Sequence, residues 1–498
     1  MPTIILAHFC PSHLGRGKVN NMNPSNDKDV QRRSFVFGIV VAAVLLWLWA
    51  GLALAGPAPA PAWVVRYNGP ANGGDTGRAI VTDRHGNIYV TGDSKGAGTI
   101  DRDMATIKYR PDGVQAWAAR YDGASGNSQD TAYAIAVDSQ GYVYITGNSE
   151  RWVGQTTWDL TTVKYDPFGN EVWVARYHSG LYKGSGCHGY ALAVDLDGNV
   201  YVTGESGTNY LSWSYPVTIK YNAAGDQQWA TLNDRMSPYG TAGRGLVLDQ
   251  DGYVYVTGTD LNASSNYDMV TIKYDSEGVA QWTSRYNGPD NKNDRGAALA
   301  VDLLGNVYVT GESEGKTSGS DLLTVKYGPV GNQLWAATYN GPADGDDRGV
   351  ALALDRAGFV YVTGRSPGVG TGTNIATLKY SPAGNRLWAV RYTGPANLGD
   401  VPSGLQLDDR GVYVAGSTWY PGGLTDYLTL KYTRTGQFEW AALYNGTGNG
   451  GDQATALALD QSGNVFVTGS SQGIGSGSDY TTLKYPRPGH VPWELLLD

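Results

Sequence analysis

A unit of about 53 residues occurs eight times along this chain, and this repeat restricts the possible folds more than any other feature. The segment Ile88-Tyr89-Val90-Thr91-Gly92 marks the first unit. Its equivalents end at Gly147, Gly204, Gly258, Gly311, Gly364, Gly416 and Gly469, at intervals of 52 to 57 residues. A period of this length indicates a solenoid or a propeller, because each unit can bury its apolar face only against its neighbours.

Each unit contains four strand signals, and no helical periodicity is sustained after Trp63. In the first unit the predicted strands cover residues 78–82, 87–91, 104–109 and 115–121. An Asp-x-x-Gly turn joins strands one and two, and a turn with Gly four residues after a Tyr joins strands three and four. The pattern predicts an all-β protein, in which residues 63–498 form a β-propeller of eight four-stranded blades.

Two sequences compete to complete the eighth blade. Residues 63–67 (Trp-Val-Val-Arg-Tyr) form a fourth-strand sequence that precedes the first unit, and the last unit ends with Trp493 at the same distance from its turn glycine. The N-terminal sequence matches the Arg-Tyr ending of the other fourth strands better. We therefore predict that it joins the C-terminal strands and closes the ring, which protects the sheet edges.

The first 55 residues are typical of an export segment. Arg32 and Arg33 precede an apolar run from Phe35 to Ala55, and residues 56–62 form an Ala/Pro spacer. One interpretation is a cleaved secretory signal, which we favour, with Met22 rather than Met1 as a plausible start. The other is an uncleaved membrane anchor, since 21 apolar residues can span a bilayer. Both interpretations predict that the propeller lies outside the cytoplasm, secreted or membrane-anchored.

The charge of the repeat region argues against nucleic acid as a partner. The whole chain has a formal net charge of −9, and residues 56–498 contain 32 basic and 44 acidic side chains. Phosphate backbones require a basic face. An acidic body is compatible with cations or with neutral ligands such as glycans.

A lysine and a tryptophan occupy fixed places in the units. The lysine belongs to a Thr-x-Lys-Tyr motif in strand three, as in Lys108, and the tryptophan lies in strand four, as in Trp117. We predict that both pack between blades, with the lysine stem on aromatic rings and its amine on a turn aspartate or in solvent, because repeated units need identical interfaces. The alternative is a ring of lysines that binds an anion.

Aspartates on the predicted long-loop face are the candidate metal ligands. Six units have an aspartate before strand one, at Asp75, Asp130, Asp294, Asp347, Asp400 and Asp452. Asp344, Asp346 and Asp347 form the densest cluster, and the cation that they would bind is calcium. The alternative interpretation is that these side chains cap turns.

Aromatic residues in the long loops are the candidate ligand-binding residues. Trp152, Trp158, Tyr210 and Trp213 belong to units two and three, and Trp419 and Tyr420 belong to unit seven. Exposed aromatic rings stack on sugars or anchor a protein partner. The alternative is that they fold down over the ends of the blades.

The repeat resembles a known family. The sequence Val-Asp-x-x-Gly-Asn-Val-Tyr-Val-Thr-Gly, at residues 194–204 and 301–311, is similar to the bacterial SBBP β-propeller repeat. The resemblance covers residues 63–498 and implies an extracytoplasmic propeller with no catalytic residues to transfer. The family name implies seven blades, whereas this chain has eight units.

The sequence therefore predicts a non-enzymatic, monomeric binding or scaffold module that takes a glycan or a protein on its long-loop face. Sequence motifs for a nucleophile, a phosphate loop or a dinucleotide site are absent. Two alternatives stay open: a hydrolase or lyase that acts on polysaccharide, and a structural surface or adhesion module.

Overall fold

The structure, a computed structural model, describes residues 56–97, 101–123, 128–152, 154, 156–180, 186–208, 213–232, 242–261, 266–317 and 319–487. Regular secondary structure in these ranges consists of β-strands, 32 in number. Within the same ranges no helix is long and apolar enough to cross a membrane. The predicted export segment lies outside the described residues.

The strands follow one another along the chain blade by blade, after a closing strand at the N-terminal side of the ring. The closing strand is β1 (Trp63–Tyr67). The first and second blades contain β2 (Asp75–Thr82), β3 (Ile88–Lys95), β4 (Arg102–Tyr109), β5 (Gln115–Tyr121), β6 (Asp130–Val137), β7 (Val143–Trp152), β8 (Thr156–Tyr165) and β9 (Glu171–Tyr177). The third and fourth contain β10 (Cys187–Val194), β11 (Val200–Thr208), β12 (Trp213–Tyr221), β13 (Gln227–Leu232), β14 (Gly243–Leu248), β15 (Val254–Leu261), β16 (Tyr267–Tyr274) and β17 (Ala280–Tyr286).

The remaining strands continue the same pattern. The fifth and sixth blades contain β18 (Asp294–Val301), β19 (Val307–Glu314), β20 (Ser320–Tyr327), β21 (Gln333–Tyr339), β22 (Arg348–Leu354), β23 (Val360–Gly368), β24 (Thr371–Tyr380) and β25 (Arg386–Tyr392). The seventh and eighth contain β26 (Asp400–Leu407), β27 (Val412–Trp419), β28 (Thr425–Tyr432), β29 (Phe438–Tyr444), β30 (Asp452–Leu459), β31 (Val465–Gln472) and β32 (Ser478–Tyr485).

Each blade is a four-stranded antiparallel meander, and the eighth blade is assembled from both ends of the ring. Its strand order is β1-β32-β31-β30, with Trp63 opposite Lys484 and Tyr67 opposite Tyr480. The prediction that the N-terminal strand completes this blade is confirmed. The competing candidate, Trp493, lies outside the described residues. The eight-bladed all-β propeller is confirmed as well.

The first strands of the blades form the inner wall of the ring. Each of them contacts the first strand of the next blade, and β30 contacts β2, which closes the circle. Eight apolar cores lie between neighbouring blades. In one of them Tyr89 and Met104 of the first blade pack with Val143 and Val163 of the second. Burial between blades, rather than within one sheet, is what holds such a repeat together.

The turn between strands one and two is fixed by its aspartate. Asp83 accepts hydrogen bonds from the backbone N–H groups of His85 and Asn87, at 2.8 and 2.9 Å, and from the hydroxyl of Tyr89 at 3.0 Å. Gly86 has a φ of 76°, which a residue with a Cβ adopts only with strain. This arrangement gives one end of the ring, the hairpin face, its short turns. The longer connections lie at the other end, the long-loop face.

The repeated lysine and tryptophan join most blades to the next. Nζ of Lys164 and Nε1 of Trp173 both donate to the carbonyl oxygen of Ala223 in the third blade, each at 3.1 Å. The ammonium group of Lys164 also lies 5.1 Å from the centre of the Tyr144 ring. The predicted packing role is confirmed, with one correction. We predicted a turn aspartate or solvent for the lysine amine, but Nζ of Lys164 meets a backbone carbonyl of the neighbouring turn, because that oxygen is the acceptor within hydrogen-bond distance.

Candidate functional site

The six aspartates that begin inner strands are caps for the preceding loop. Each accepts a hydrogen bond, at 2.7 or 2.8 Å, from the backbone N–H of a glycine six or seven residues earlier. The pairs are Gly69–Asp75, Gly123–Asp130, Gly288–Asp294, Gly341–Asp347, Gly394–Asp400 and Gly446–Asp452. Burial raises the pKa of Asp130 and of Asp294 to about 6. The turn-capping interpretation accounts for these side chains.

The three aspartates predicted to bind calcium point to different protein partners. Asp344, at a φ of 48°, accepts a hydrogen bond from Nδ2 of Asn340 at 2.8 Å. Asp346 accepts the N–H of Ser320 and pairs with Arg348, both at 3.1 Å. Asp347 is buried and caps Gly341. A cation at these residues therefore stays a prediction that no contact in the structure supports.

Another carboxylate group meets the spacing of a metal site better. Within the described residues, Asp103, Asp122 and Asp130 each place one oxygen within 4.8 Å of the others. Asp103 is already paired with Arg120 at 2.7 Å, and Asp130 already caps Gly123. The group could hold a cation only in competition with Arg120.

The aromatic residues predicted for units two and three have different surroundings. Trp152 ends β7 and is 67% exposed, whereas Trp158 is half-buried with its ring 6.0 Å from that of His188. Trp213 begins β12 in the third blade, and Tyr210 lies outside the described residues. Trp158 is thus the predicted residue that the structure connects to a larger cluster.

The pair predicted for unit seven lies apart from the others. Trp419 ends β27 and is 40% exposed. Tyr420 is half-buried, and its hydroxyl is hydrogen-bonded to Asp426. Burial raises the pKa of Tyr420, and Asp426 raises it further. The seventh blade is separated from the second by two blades. These two residues therefore belong to a separate part of the long-loop face.

The residues that the sequence patterns missed lie at a β-bulge in the inner strands. In all eight blades the pairing of strand one with strand two shifts by one residue. In the first blade the shift lies between Gly77 and Ala79, and the other blades have it at the equivalent position. The bulged residues are Arg78, Tyr133, Tyr190, Arg244, Ala297, Val350, Ser403 and Thr455. A bulge redirects a side chain. The available signal was the variation of this position, and of the position two residues before it, among units whose turns and other strands are more alike.

Bulged side chains of successive blades contact each other around the centre of the ring. The guanidinium of Arg78 lies 5.4 Å from the centre of the Tyr133 ring, and the rings of Tyr133 and Tyr190 are 5.7 Å apart. The guanidinium of Arg244 lies 4.5 Å from the Tyr190 ring. His188, two residues before Tyr190, stacks on it at 6.3 Å with 10° between the ring planes. We call these residues, with Trp158 and Glu205, the mouth cluster.

Glu205 fixes the centre of the mouth cluster. The hydroxyl of Tyr190 donates to Oε1 of Glu205 at 2.5 Å. Burial and the carboxylate both raise the pKa of Tyr190, so its phenol stays protonated at neutral pH. Burial, reinforced by Arg244, lowers the pKa of His188, against the opposing effect of Glu205. The cluster therefore combines neutral rings with the guanidinium groups of Arg78 and Arg244 and a carboxyl group, Glu205, that is bound to Tyr190.

Arginines continue around the inner wall in the first, fifth and sixth blades. Asp93 pairs with Arg78 of the inner strand and also with Arg102, which begins β4. Glu312 bridges Arg295 of the fifth blade to Arg348 of the sixth, at 2.8 and 2.6 Å.

These pairs expose one sign of charge. The carboxylate side chains of Asp93 and Glu312 are 1% and 7% exposed, whereas those of the four arginines are 34–42% exposed. The charge that these two groups present to solvent is therefore positive, although the chain as a whole is acidic.

The hairpin face has a contrasting character. A cavity of about 1180 Å³ lies between the turns of the third, fourth and fifth blades and is lined by five aspartates. Leu196, Leu303 and Leu304 at its edge are 98%, 81% and 77% exposed. The two ends of the ring thus differ in charge and in polarity.

Comparison with known proteins agrees with the fold. Residues 63–98, 120–150, 281–316 and 439–475 match a family model described as a β-propeller repeat, SBBP. The chain carries SBBP β-propeller repeats. A curated relative, an uncharacterized WD repeat-containing protein of Acanthamoeba polyphaga mimivirus, is 23% identical over 79% of this chain. The match spans only 35% of that relative's length.

Solved structures similar to this SBBP repeat protein have low identity and diverse descriptions. A quinohemoprotein alcohol dehydrogenase from Pseudomonas putida has a TM-score of 0.49 at 11% identity, covering 87% of this chain and 76% of the other. The extracellular domains of Drosophila Semaphorin 1b have a TM-score of 0.41 at 9% identity, covering 86% and 87%. A polysaccharide lyase has a TM-score of 0.41 at 11% identity, covering 84% and 90%. Likenesses at this level carry no argument about function.

Proposed function

We propose that this protein is a non-catalytic binding module that takes its ligand at the mouth cluster, on the long-loop face of the ring. One observation carries the proposal. The bulged positions of the first four blades hold Arg78, Tyr133, Tyr190 and Arg244 in mutual contact, where the next two blades hold Ala297 and Val350.

This variation separates function from architecture. Residues that recur in every unit serve contacts that every blade needs, as Lys164 and Trp173 do. Alanine and valine satisfy the bulged position in two blades, so the fold itself does not require arginine or tyrosine there. Side chains with rings and guanidinium groups at one end of a rigid scaffold are typical of a recognition surface.

The chemistry of the cluster favours binding over catalysis. A tyrosine that removes a proton from a substrate must lose its own, and the proton of Tyr190 is held by Glu205 at 2.5 Å. His188 is enclosed by the rings of Trp158 and Tyr190. Fixed rings and an exposed Arg244 instead provide surfaces for stacking and for charge-assisted hydrogen bonds.

The predicted export segment supports a ligand outside the cytoplasm, such as a glycan or an extracellular protein. The test is a glycan array, followed by a panel of extracellular proteins, probed with the purified protein and with a Tyr133→Ala/Tyr190→Ala variant. We expect specific hits for which the variant's affinity falls at least tenfold, while Leu304→Ala, a control on the hairpin face, retains them. Hits that the double variant retains in full would show that the ligand binds elsewhere.

A further inference from the structure

We propose that the ligand is an acidic glycan, in which the carboxylate or sulfate of a sugar unit binds the arginines of the mouth while its ring stacks on the mouth cluster. This inference rests on the proposed function and adds the ligand's chemical class to it. It concerns the inner wall of the ring, where two arginines flank a pair of tyrosine rings over the first four blades.

The arginines have donor groups that the protein does not use. Nε of Arg78 donates to Asp93 at 2.6 Å, and within the described residues no hydrogen bond from its two Nη atoms is seen. Arg244 is exposed, and no carboxylate of the described residues lies within 4.0 Å of its guanidinium. A planar guanidinium with free edges matches the two oxygens of a carboxylate or a sulfate. Both arginines therefore have guanidinium N–H groups that can bind an anion.

The rings beside these arginines set the size and shape of the ligand. Arg78 and Arg244 flank the pair of Tyr133 and Tyr190, and His188 and Trp158 extend the row of rings into the third and second blades. The apolar face of a sugar stacks on such rings, and its substituents then lie in the ring's plane, near flanking side chains. An acidic sugar fits both parts of the site, whereas an inorganic anion uses only the arginines.

At the mouth cluster, the positive charge of the nearby arginines affects a ligand more than the net negative charge of the whole protein. Because a Debye length is about 8 Å at physiological ionic strength, distant carboxylates on the body of the propeller are screened. The near carboxylates Asp93 and Glu312 are buried and already paired with arginines, and the half-buried Glu205 accepts the hydroxyl of Tyr190. A short acidic oligosaccharide therefore meets the exposed guanidinium groups first.

The experiment compares one oligosaccharide with and without its charge. Calorimetric titration at about 0.15 M NaCl, the physiological ionic strength, uses tetragalacturonate, its full methyl ester, a sulfated galactan tetrasaccharide without uronic acid, and the desulfated form of that galactan. We expect at least one acidic ligand to bind at least tenfold more tightly than its neutral partner, with the preferred acid distinguishing carboxylate from sulfate. Arg244→Ala and Arg78→Gln should each reduce that binding by about tenfold, the effect of one charge-assisted hydrogen-bonded contact.

The control is Arg386→Ala. Arg386 also lies over a tyrosine ring, 5.3 Å from the centre of Tyr339, but on the outer strand β25. It should leave the binding unchanged. Because Arg78 pairs with the buried Asp93, the melting temperature of each variant is also measured. If Arg78→Gln does not fold, the test rests on Arg244→Ala, since Arg244 is exposed.

The outcomes separate this inference from the proposed function. Equal affinity for the acidic and the neutral forms, or full binding by Arg244→Ala, would overturn the acidic-glycan inference while the mouth stays a binding site. Failure of all four oligosaccharides to bind would also overturn it. The proposed function fails separately, when the Tyr133→Ala/Tyr190→Ala variant keeps every hit of the array and the protein panel.

Discussion

Nε1 of Trp117 in the first blade and the carbonyl oxygen of Pro167 in the second are 3.0 Å apart and share a hydrogen bond. The same carbonyl accepts Nζ of Lys108 at 3.3 Å. Equivalent pairs recur around most of the ring, so most blades are joined to the next through one backbone oxygen that accepts both side chains.

The seventh blade provides a natural comparison for this lock. Nε1 of Trp440 is buried and has no acceptor among the described residues. Trp117→Phe and Trp440→Phe remove a similar amount of ring, but only the first loses a hydrogen bond. We expect Trp117→Phe to lower the free energy of unfolding by about 1 kcal/mol more than Trp440→Phe, measured by urea denaturation. Equal losses would mean that the indole hydrogen bond contributes nothing to the blade contact.

The closing strand makes a second prediction about stability. Trp63 of β1 packs on Phe466 with ring centres 5.8 Å apart, and its Nε1 donates to Pro111 at 3.2 Å in the first blade. Trp63→Ala should therefore lower the melting temperature far more than Trp493→Ala, because it loosens the strand that closes the ring. Melting of both variants by circular dichroism gives the comparison. The N-terminal closure would lose its energetic support if Trp493→Ala were equally destabilising.

The loop-capping aspartates make stability depend on pH. The pKa of Asp130 is raised to about 6 in the folded protein, above the ordinary value of about 3.9 expected in the unfolded chain. The folded state therefore binds this proton more tightly, and ionisation lowers the free energy of unfolding as the pH rises from about 4 to 6.

An asparagine at this position removes the titration but keeps an acceptor for Gly123. The melting temperature of the wild type, relative to Asp130→Asn, should fall between about pH 4 and pH 7. Asp294→Asn should behave in the same way, since the pKa of Asp294 is also about 6. A difference between wild type and variant that does not change with pH would show that burial does not raise this pKa.

Glu312 tests whether the arginines of the wall are held in place by the buried carboxylates. Glu312→Gln leaves Arg295 and Arg348 without their shared charge, and we expect a loss of about 1 to 3 kcal/mol in the free energy of unfolding, because a buried carboxylate that bridges two cations is removed. Denaturant titration measures it. Arg295→Lys, which keeps a charge beside Glu312, should cost less, and a larger loss for this variant would contradict the account.

The architecture could be predicted from the sequence because the same pattern of strands and turns occurs eight times. The structure contains three features that the repeat predicted: the Asp-x-x-Gly turns, the packing of the strand-three lysine between blades, and the pairing of the strand at Trp63 with the last blade. The predicted partner of the lysine amine was wrong in detail. A turn carbonyl and a turn aspartate lie close together in sequence, and only the neighbouring blade decides between them.

The candidate site was less accessible to sequence reasoning. Trp158 was predicted as a binding residue and belongs to the mouth cluster, but Tyr190 and Arg244 were missed. They lie in strands whose sequences are typical of buried core strands, and a bulge turns them toward the centre of the ring. A shift in strand pairing leaves no composition signal, so the three-dimensional register was needed to bring Arg78, Tyr133, Tyr190 and Arg244 together.

The most direct test of a binding site at the mouth is a hydrogen-exchange footprint of the protein with its tightest-binding glycan or protein hit. The account predicts slower exchange in the first halves of β2, β6, β10 and β14 and in the paired part of β11, with little change on the hairpin face. Protection confined to the turns around Leu196, Leu303 and Leu304, or to the outer strands, would contradict it.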